Sequence, residues 1–109
     1  RVRAYRPVRL ARPGNPRGVE TLTKDLSAGG LRCLSSTLFP VTSGVLVELT
    51  LSSGTEPVTA RGRTVWLSMI PASEQFDLGI AFTELSEENK RRLSVYIERL
   101  QSQTAASQI

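Results

Sequence analysis

The chain has 109 residues, enough for one compact domain and too few for a second independent core. Its 39% hydrophobic and 22% charged residues are typical of a globular protein. One cysteine excludes an internal disulfide, and the absence of histidine removes the commonest general base and zinc ligand, so neither catalysis nor a metal site is expected. No apolar run approaches the roughly 18 residues of a membrane span, and we expect a soluble, cytoplasmic protein that is not an enzyme.

The excess positive charge lies at the amino-terminal end, in residues 1–17, which we call the arginine arm. The six arginines that precede the first acidic residue are Arg1, Arg3, Arg6, Arg9, Arg12 and Arg17. The remaining residues hold eight basic and ten acidic groups, within a net charge of +4. Because guanidinium groups bind phosphates in a bidentate manner, the arm predicts a site for an anion. The alternative is a solvated arm that only aids solubility.

The first half of the chain predicts three short strands. Residues 5–10 form the first, in which Pro7 is compatible with an edge or a strand start. Residues 19–24 and 31–34 form the second and third. The segment between them, Asp-Leu-Ser-Ala-Gly-Gly at 25–30, is predicted to be a tight bend.

The second half predicts three further strands. Residues 45–51 alternate strictly, with valine and leucine side chains on one face, and residues 58–67 follow after a short turn. The two strands therefore read as a hairpin. Residues 78–82 form a final strand in which Leu78, Ile80 and Phe82 share one face.

One helix follows the strands. Ser86 is a favourable N-cap, and Leu93 and Ile97 repeat at helical spacing, which predicts an apolar stripe packed on the sheet. The fold class is therefore mainly β, a small antiparallel six-stranded β-barrel with a carboxy-terminal helix over residues 1–101.

The helix surface is predicted to be charged. Glu87 with Arg91, and Glu88 with Arg92, have the four-residue spacing of stabilising ion pairs. Residues 102–109 are predicted to form a polar carboxy-terminal tail that frays.

The bend after the second strand carries candidate ligand groups. The carboxylate of Asp25 can accept hydrogen bonds from the paired N–H donors of a guanine edge. The hydroxyl of Ser27 can donate to a phosphate or a carbonyl, and Gly30 can let a ligand approach the backbone. The alternative is a local turn in which Asp25 and Ser27 bond only their own main chain.

The order of these segments resembles that of the PilZ domain family over nearly the whole chain. That family's second motif is Asp or Asn, any residue, Ser, two residues and Gly, and Asp25, Ser27 and Gly30 match it. After the arginine arm, the segments that carry the resemblance are Asp-Leu-Ser-Ala-Gly-Gly-Leu at 25–31, Val-Leu-Val-Glu-Leu-Thr-Leu at 45–51, Arg-Gly-Arg-Thr-Val-Trp at 61–66 and Asp-Leu-Gly-Ile-Ala-Phe at 77–82.

The resemblance implies a bacterial receptor domain for the second messenger cyclic di-GMP, without a metal or another cofactor. It implies a conformational change or altered partner contacts on binding, with roles such as motility or biofilm regulation. A partner protein or a neighbouring domain in a longer chain is expected, and neither nucleic acid nor membrane insertion is. The residues implied as ligand contacts are Arg1, Arg3, Arg6, Asp25, Ser27, Gly29 and Gly30.

The chain departs from the family in its first motif, two arginines separated by three residues, because no two arginines of the arm have that spacing. If Arg3 is the second arginine of the motif, its partner precedes residue 1, and Arg6 is the other candidate. A degenerate motif would leave a PilZ-like interaction module that does not bind nucleotide. A small nucleic-acid-binding barrel is a third hypothesis, although aromatic platforms for bases are scarce.

Other notable side chains are predicted to be structural. Trp66 falls on the small-residue face of its strand, which favours packing in the core or at the barrel rim. Cys33 is predicted to be a small buried hydrophobe, Asp77 a structural carboxylate, and Arg61 and Arg63 a solvated strand face.

Overall fold

The computed structural model describes residues 1–15 and 17–107. In chain order its elements are β1 (Val2–Arg3), β2 (Pro7–Ala11), β3 (Gly18–Ser27), β4 (Gly30–Ser35), β5 (Gly44–Leu49), β6 (Val58–Met69), β7 (Phe76–Glu84) and α1 (Glu87–Ser107). The predicted bend at 25–30 is shorter than expected, because β3 continues through Ser27 and β4 begins at Gly30.

Six strands form a closed antiparallel barrel in the ring β2, β3, β4, β7, β6, β5 and back to β2. The predicted barrel with a carboxy-terminal helix is therefore confirmed. The first strand of the ring, β2, begins at Pro7, where the missing proline N–H is tolerated. The sequence pattern does not predict β1, which lies outside the ring and continues the pairing of β3 beyond the end of β2.

Alternate strand residues fill the barrel interior. Val45, Val47 and Leu49 of β5 are buried, as their period-two spacing predicts. Other large apolar side chains buried in the barrel include Leu10, Leu26, Leu31, Phe39, Val58, Leu78 and Ile80. Each contributes about 1.5 to 3 kcal/mol relative to an exposed position, so the register of the strands is strongly specified.

Helix α1 packs on the barrel as predicted. The Ser86 Oγ accepts a hydrogen bond of 3.1 Å from the main-chain N–H of Asn89, which confirms the N-cap. Leu93 and Ile97 are buried in the same core as the strands. The helix contacts β6 and also β1, so it links the barrel wall to the strand outside the ring.

The helix is longer than the sequence predicts. It continues to Ser107 and includes residues 102–107 of the expected polar tail, whereas residues 108–109 lie outside the described part of the chain. Within the described residues, no helix combines the length and the apolar character needed to span a lipid bilayer.

The charged residues of α1 pair differently from the prediction. The expected pairs of Glu87 and Glu88 with arginines four residues later are absent from the described residues. Instead, Glu87 contacts Lys90 at 3.1 Å. Arg92 donates to the side chain of Asn89 at 3.3 Å and to a main-chain carbonyl of the loop before β6. The arginines of this helix are therefore not neutralised by its first-turn carboxylates.

Candidate functional site

A bulge in β3 turns Asp25 to the outside of the barrel. Relative to β4, the strand has one extra residue, Lys24, between Thr23 and Asp25. An extra residue shifts the inside-outside alternation by one. Thr23 therefore points into the core and is fully buried, while Lys24 and Asp25 are both on the outer side and partly buried.

A second bulge does the same in β6. Val65 is the extra residue between Thr64 and Trp66 relative to β7. Thr64 is fully buried, and both Val65 and Trp66 are exposed. Of the two predicted positions for Trp66, the core and the barrel rim, the core is wrong, because strict alternation through residue 65 does not hold and the indole lies on the outer wall.

The strand register aligns five residues across five strands. Each is the cross-strand partner of the next, and partners share one face of a sheet. We call this line the outer row, and its members in order are Arg3, Asp25, Arg32, Gly79 and Trp66. The outer row therefore joins residues of β1, at the start of the chain, to residues of β6 and β7, near the carboxy-terminal helix.

The amino-terminal end of the arginine arm lies beside Asp25. Strand β1 pairs with the end of β3, so the Cα of Arg3 is directly opposite that of Asp25. The Nε atom of Arg1 lies 3.3 Å from Oδ1 of Asp25. Within the described residues, the guanidinium of Arg3 makes no hydrogen bond or ion pair. The expected approach of the arm to the aspartate is therefore present for Arg1 and Arg3.

Arg6 lies apart from this group. Its Nε donates a 3.0 Å hydrogen bond to the main-chain carbonyl of Thr50, and its main-chain N–H donates to the Oγ1 of Thr23. These contacts hold the side chain at the end of β5. The structure thus brings two of the three predicted arginines to Asp25 and directs the third elsewhere.

The Asp25 carboxylate retains an unused acceptor. Its side chain is 15% exposed, and Arg32 Nη1 lies 3.8 Å from Oδ2. Oδ1 accepts no hydrogen bond from the described residues, since the Nε–H of Arg1 is near it but poorly aligned. A buried acceptor without a donor is costly, so a ligand that supplies N–H donors would be stabilised here.

Arg32 and Asp77 form the best-ordered ion pair at the site. Nε of Arg32 donates to Oδ1 of Asp77 at 3.1 Å, and Nη2 donates to Oδ2 at 2.9 Å. The hydrogen bond and the negative charge of Asp77 raise the pKa of the Arg32 guanidinium. Lys24 Nζ lies 3.7 Å from the same carboxylate. Asp77 is structural, as predicted, because it fixes the direction of Arg32.

Trp66 extends the site across β7. Its indole lies over Gly79, and the guanidinium of Arg32 lies 5.9 Å from the ring centroid, within cation–π range. The indole is 37% exposed. Beside the acidic and cationic groups, the outer row therefore offers an aromatic surface open to solvent.

The Ser-Ala-Gly-Gly segment forms a two-residue hairpin turn. Ser27 Oγ donates to the main-chain carbonyl of Gly30 at 3.3 Å, so the local-turn interpretation holds for Ser27 and not for Asp25. Gly29 is exposed, with open space where a side chain would be. Gly30 is buried, and the Ile80 carbonyl fills its β-carbon position. The close approach of β7 therefore requires this glycine, and ligand access does not explain it.

Sequence reasoning missed Arg32. It is a lone charged residue between the buried Leu31 and Cys33, and this position in an apolar strand was the available signal. Cys33 is buried, as predicted. Burial raises the pKa of its thiol to about 12, with a smaller contribution from the negative charge of Asp77, so the thiol is not a nucleophile near neutral pH.

The site chemistry suits an anion with hydrogen-bond donors. Arg1 and Arg3 supply guanidinium forks for phosphate or carbonyl oxygens, Arg32 adds positive charge while its own fork is held by Asp77, and Asp25 supplies an acceptor. Within the described residues, no group of three or more histidine, cysteine or carboxylate side chains is arranged to hold a metal ion.

Comparisons with known proteins agree with this architecture. The profile of the PilZ domain matches residues 1–99. No curated protein matches the sequence. Among solved structures, the PilZ domain of YcgR from Escherichia coli with c-di-GMP has a TM-score of 0.68 and 16% identity, covering 98% of this chain and 97% of that one.

Two longer proteins also contain this fold. The inhibitor of motility MotI/DgrA of Bacillus subtilis has a TM-score of 0.78 and 19% identity, over 94% of this chain and 49% of that one. MrkH of K. pneumonia in its apo state has a TM-score of 0.77 and 15% identity, over 98% and 52%. The present chain spans about half the length of these two proteins.

Proposed function

Because the chain belongs to the PilZ domain family, we propose that it is a receptor domain for cyclic di-GMP and not an enzyme. The observation that carries this proposal is the cross-strand alignment of Arg3, Asp25 and Arg32 on one outer face. The ligand has two phosphates and two guanines, which need cationic forks and a carboxylate acceptor respectively.

The phosphates are assigned to the arm. Arg3 has a guanidinium without a protein partner in the described residues, and Arg1 is only loosely held by Asp25. Both can therefore turn toward a phosphate without breaking an ordered network. Arg6 contributes positive potential from a greater distance unless its bond to Thr50 opens.

One guanine edge is assigned to Asp25. Oδ1 has no hydrogen bond from the described residues and is buried beside Arg1, so Arg1 must turn away before the two adjacent N–H donors of a guanine can reach this carboxylate. Ser27, Gly29 and Gly30 border this position on the hairpin. Arg32 and Trp66 border it on the other side, where a guanidinium plane and an indole favour stacking of a base.

The conformational change on ligand binding is assigned to β1. This strand has two residues, pairs only with β3 within the described chain, and contacts α1. When Arg1 and Arg3 turn toward a ligand, β1 moves against the helix that covers it. A partner protein or neighbouring domain in contact with β1 or α1 would sense that movement.

Isothermal titration calorimetry tests the proposal. We expect saturable heat with cyclic di-GMP and much weaker binding of cyclic di-AMP. Cyclic di-AMP has the same phosphates, but its adenines lack the paired N–H donors from which Asp25 would accept hydrogen bonds. Asp25→Asn is the matched variant, because it keeps the size of the side chain and loses its charge.

The calorimetry also separates the alternatives. Equal binding of the two cyclic dinucleotides would show a phosphate site without guanine recognition. No heat with cyclic di-GMP at low salt would contradict the proposal. It would favour a PilZ-like interaction module that binds no nucleotide.

A further inference from the structure

A concave surface lies between α1 and the loop after β5. Its volume is about 290 Å³, comparable to the space of one or two large side chains. Its walls are Leu51, Ser52, Thr55, Arg91, Arg92, Val95, Tyr96 and Arg99, and we call it the helix groove. None of these residues belongs to the outer row or the arginine arm.

The helix groove is positively charged. Arg91, Arg92 and Arg99 contribute three guanidinium groups, and no carboxylate is among the described residues that line it. Arg92 is fixed by its bonds to Asn89 and to the Glu56 carbonyl. Arg91 and Arg99 make no ion pair within the described part of the chain, so their charges are available to a binding partner.

The floor of the helix groove is apolar. Leu51 is buried below it, Val95 is 38% exposed, and Tyr96 is half-buried beside them. Val95 lies one helical turn from both Arg91 and Arg99, so its exposed side chain lies between their charges. Tyrosine, arginine and a small apolar floor are the composition of a protein recognition site, in which a few anchoring residues supply most of the binding energy.

We propose that the helix groove binds an acidic segment of a partner protein, with one large apolar side chain on Val95 and Tyr96 and flanking carboxylates on Arg91 and Arg99. Charge complementarity selects this occupant. A two-fold contact with a second copy would place these arginines opposite one another. A flat lipid surface would leave the concave floor unfilled. The proposal does not depend on nucleotide binding.

A peptide-display experiment tests the proposal on the whole protein. Random peptides of about twelve residues are selected on the wild-type chain and measured against the double variant Arg91→Glu, Arg99→Glu. We expect selected sequences to contain carboxylates around a large apolar residue, and to bind the double variant at least about tenfold more weakly. Arg63→Ala, which changes an exposed arginine of β6 outside the groove, should bind them like the wild type.

A second variant protects the test against misfolding. Val95→Asp adds a negative charge to an exposed position of the floor, and should also abolish peptide binding while the urea midpoint stays near that of the wild type. Selected peptides that bind both groove variants as well as the wild type would overturn the proposal, as would the absence of acidic enrichment. Dimerisation of the wild type that the double variant abolishes would also overturn it, as would groove-dependent binding only to acidic phospholipid vesicles.

Discussion

The indole of Trp66 lies against Gly79 so closely that a β-carbon at residue 79 would overlap the ring. The two residues are cross-strand partners, and the bulge at Val65 is what turns the indole toward that space. Glycine at 79 therefore lets an aromatic ring from β6 reach over β7 to Arg32 on β4. The position of the ring depends on a residue that has no side chain.

Gly79→Ala is expected to displace Trp66 from the outer row. Forcing a methyl group into this contact should lower the free energy of unfolding by about 1 to 3 kcal/mol. Urea unfolding measures this change. Gly29→Ala is the control, because its added methyl group meets open space and should leave stability nearly unchanged. Equal stability together with unchanged Trp66 emission would show that the indole does not occupy the space over Gly79, since an exposed ring can also swing aside at little cost.

Trp66 should report ligand binding directly. It is the single tryptophan of the chain and is partly exposed beside Arg32, so a bound guanine base should change its emission intensity or wavelength. Titration of the fluorescence with cyclic di-GMP should give the same Kd as calorimetry. Calorimetric binding without any change in emission would place the nucleotide away from this end of the outer row.

Two arginines of the arm, Arg3 and Arg6, should differ in their effect on affinity. Arg3→Ala should weaken cyclic di-GMP binding by about 10- to 100-fold, the range of a charge-assisted hydrogen bond worth roughly 1.5 to 3 kcal/mol. We expect this loss to exceed that of Asp25→Ala. Arg6→Ala should lower affinity by less than about threefold, because its guanidinium is held by Thr50 and not directed to Asp25.

Calorimetry on the single variants measures these differences. A larger loss for Arg6→Ala than for Arg3→Ala would mean that Arg6 leaves Thr50 when the ligand binds. If Asp25→Ala loses more affinity than either arginine variant, the aspartate contributes more to binding than the arm does.

Stability should fall at alkaline pH because of Cys33. The folded protein holds the pKa of this thiol at about 12, well above its ordinary value of 9.0, so folding favours the neutral thiol. The contribution of this group is therefore fully present below about pH 9 and is lost as the pH rises toward 12. The limiting slope is about 1.4 kcal/mol per pH unit.

Urea unfolding of the wild type and of Cys33→Ala between about pH 8 and 10.5 isolates this effect, since other titrating groups are common to both proteins. The wild type should lose stability faster over this range. Parallel pH profiles would show that the thiol ionises equally easily in the folded and unfolded chains.

Local sequence patterns predicted the barrel well. The alternation at 45–51 and the helical spacing of Leu93 and Ile97 each report burial on one face, and the structure confirms both. The arm could also be placed near Asp25, because it precedes the strand that pairs with β3. These features depend on neighbours in sequence or on simple hairpin connections.

The outer face of the site was harder to predict. Strict alternation places Trp66 inside, and one extra residue at 65 reverses that assignment. The pairing of Arg32 with Asp77 joins residues 45 positions apart and follows only from the closure of the barrel by β4 and β7. A bulge or a non-local ion pair has no repeating signal along the chain, so neither could be derived from spacing.

Strand β1 is outside the closed ring of hydrogen bonds that the other six strands form. Removing a strand from within that ring would open an edge, whereas removing β1 leaves the ring intact. Arg1 and Arg3 can therefore be replaced with little penalty to folding, whereas Arg6 is also bonded to Thr23 and Thr50. In a domain of this design, the charge of residues 1–3 can change in a few substitutions while the rest of the sequence stays under the constraints of the core.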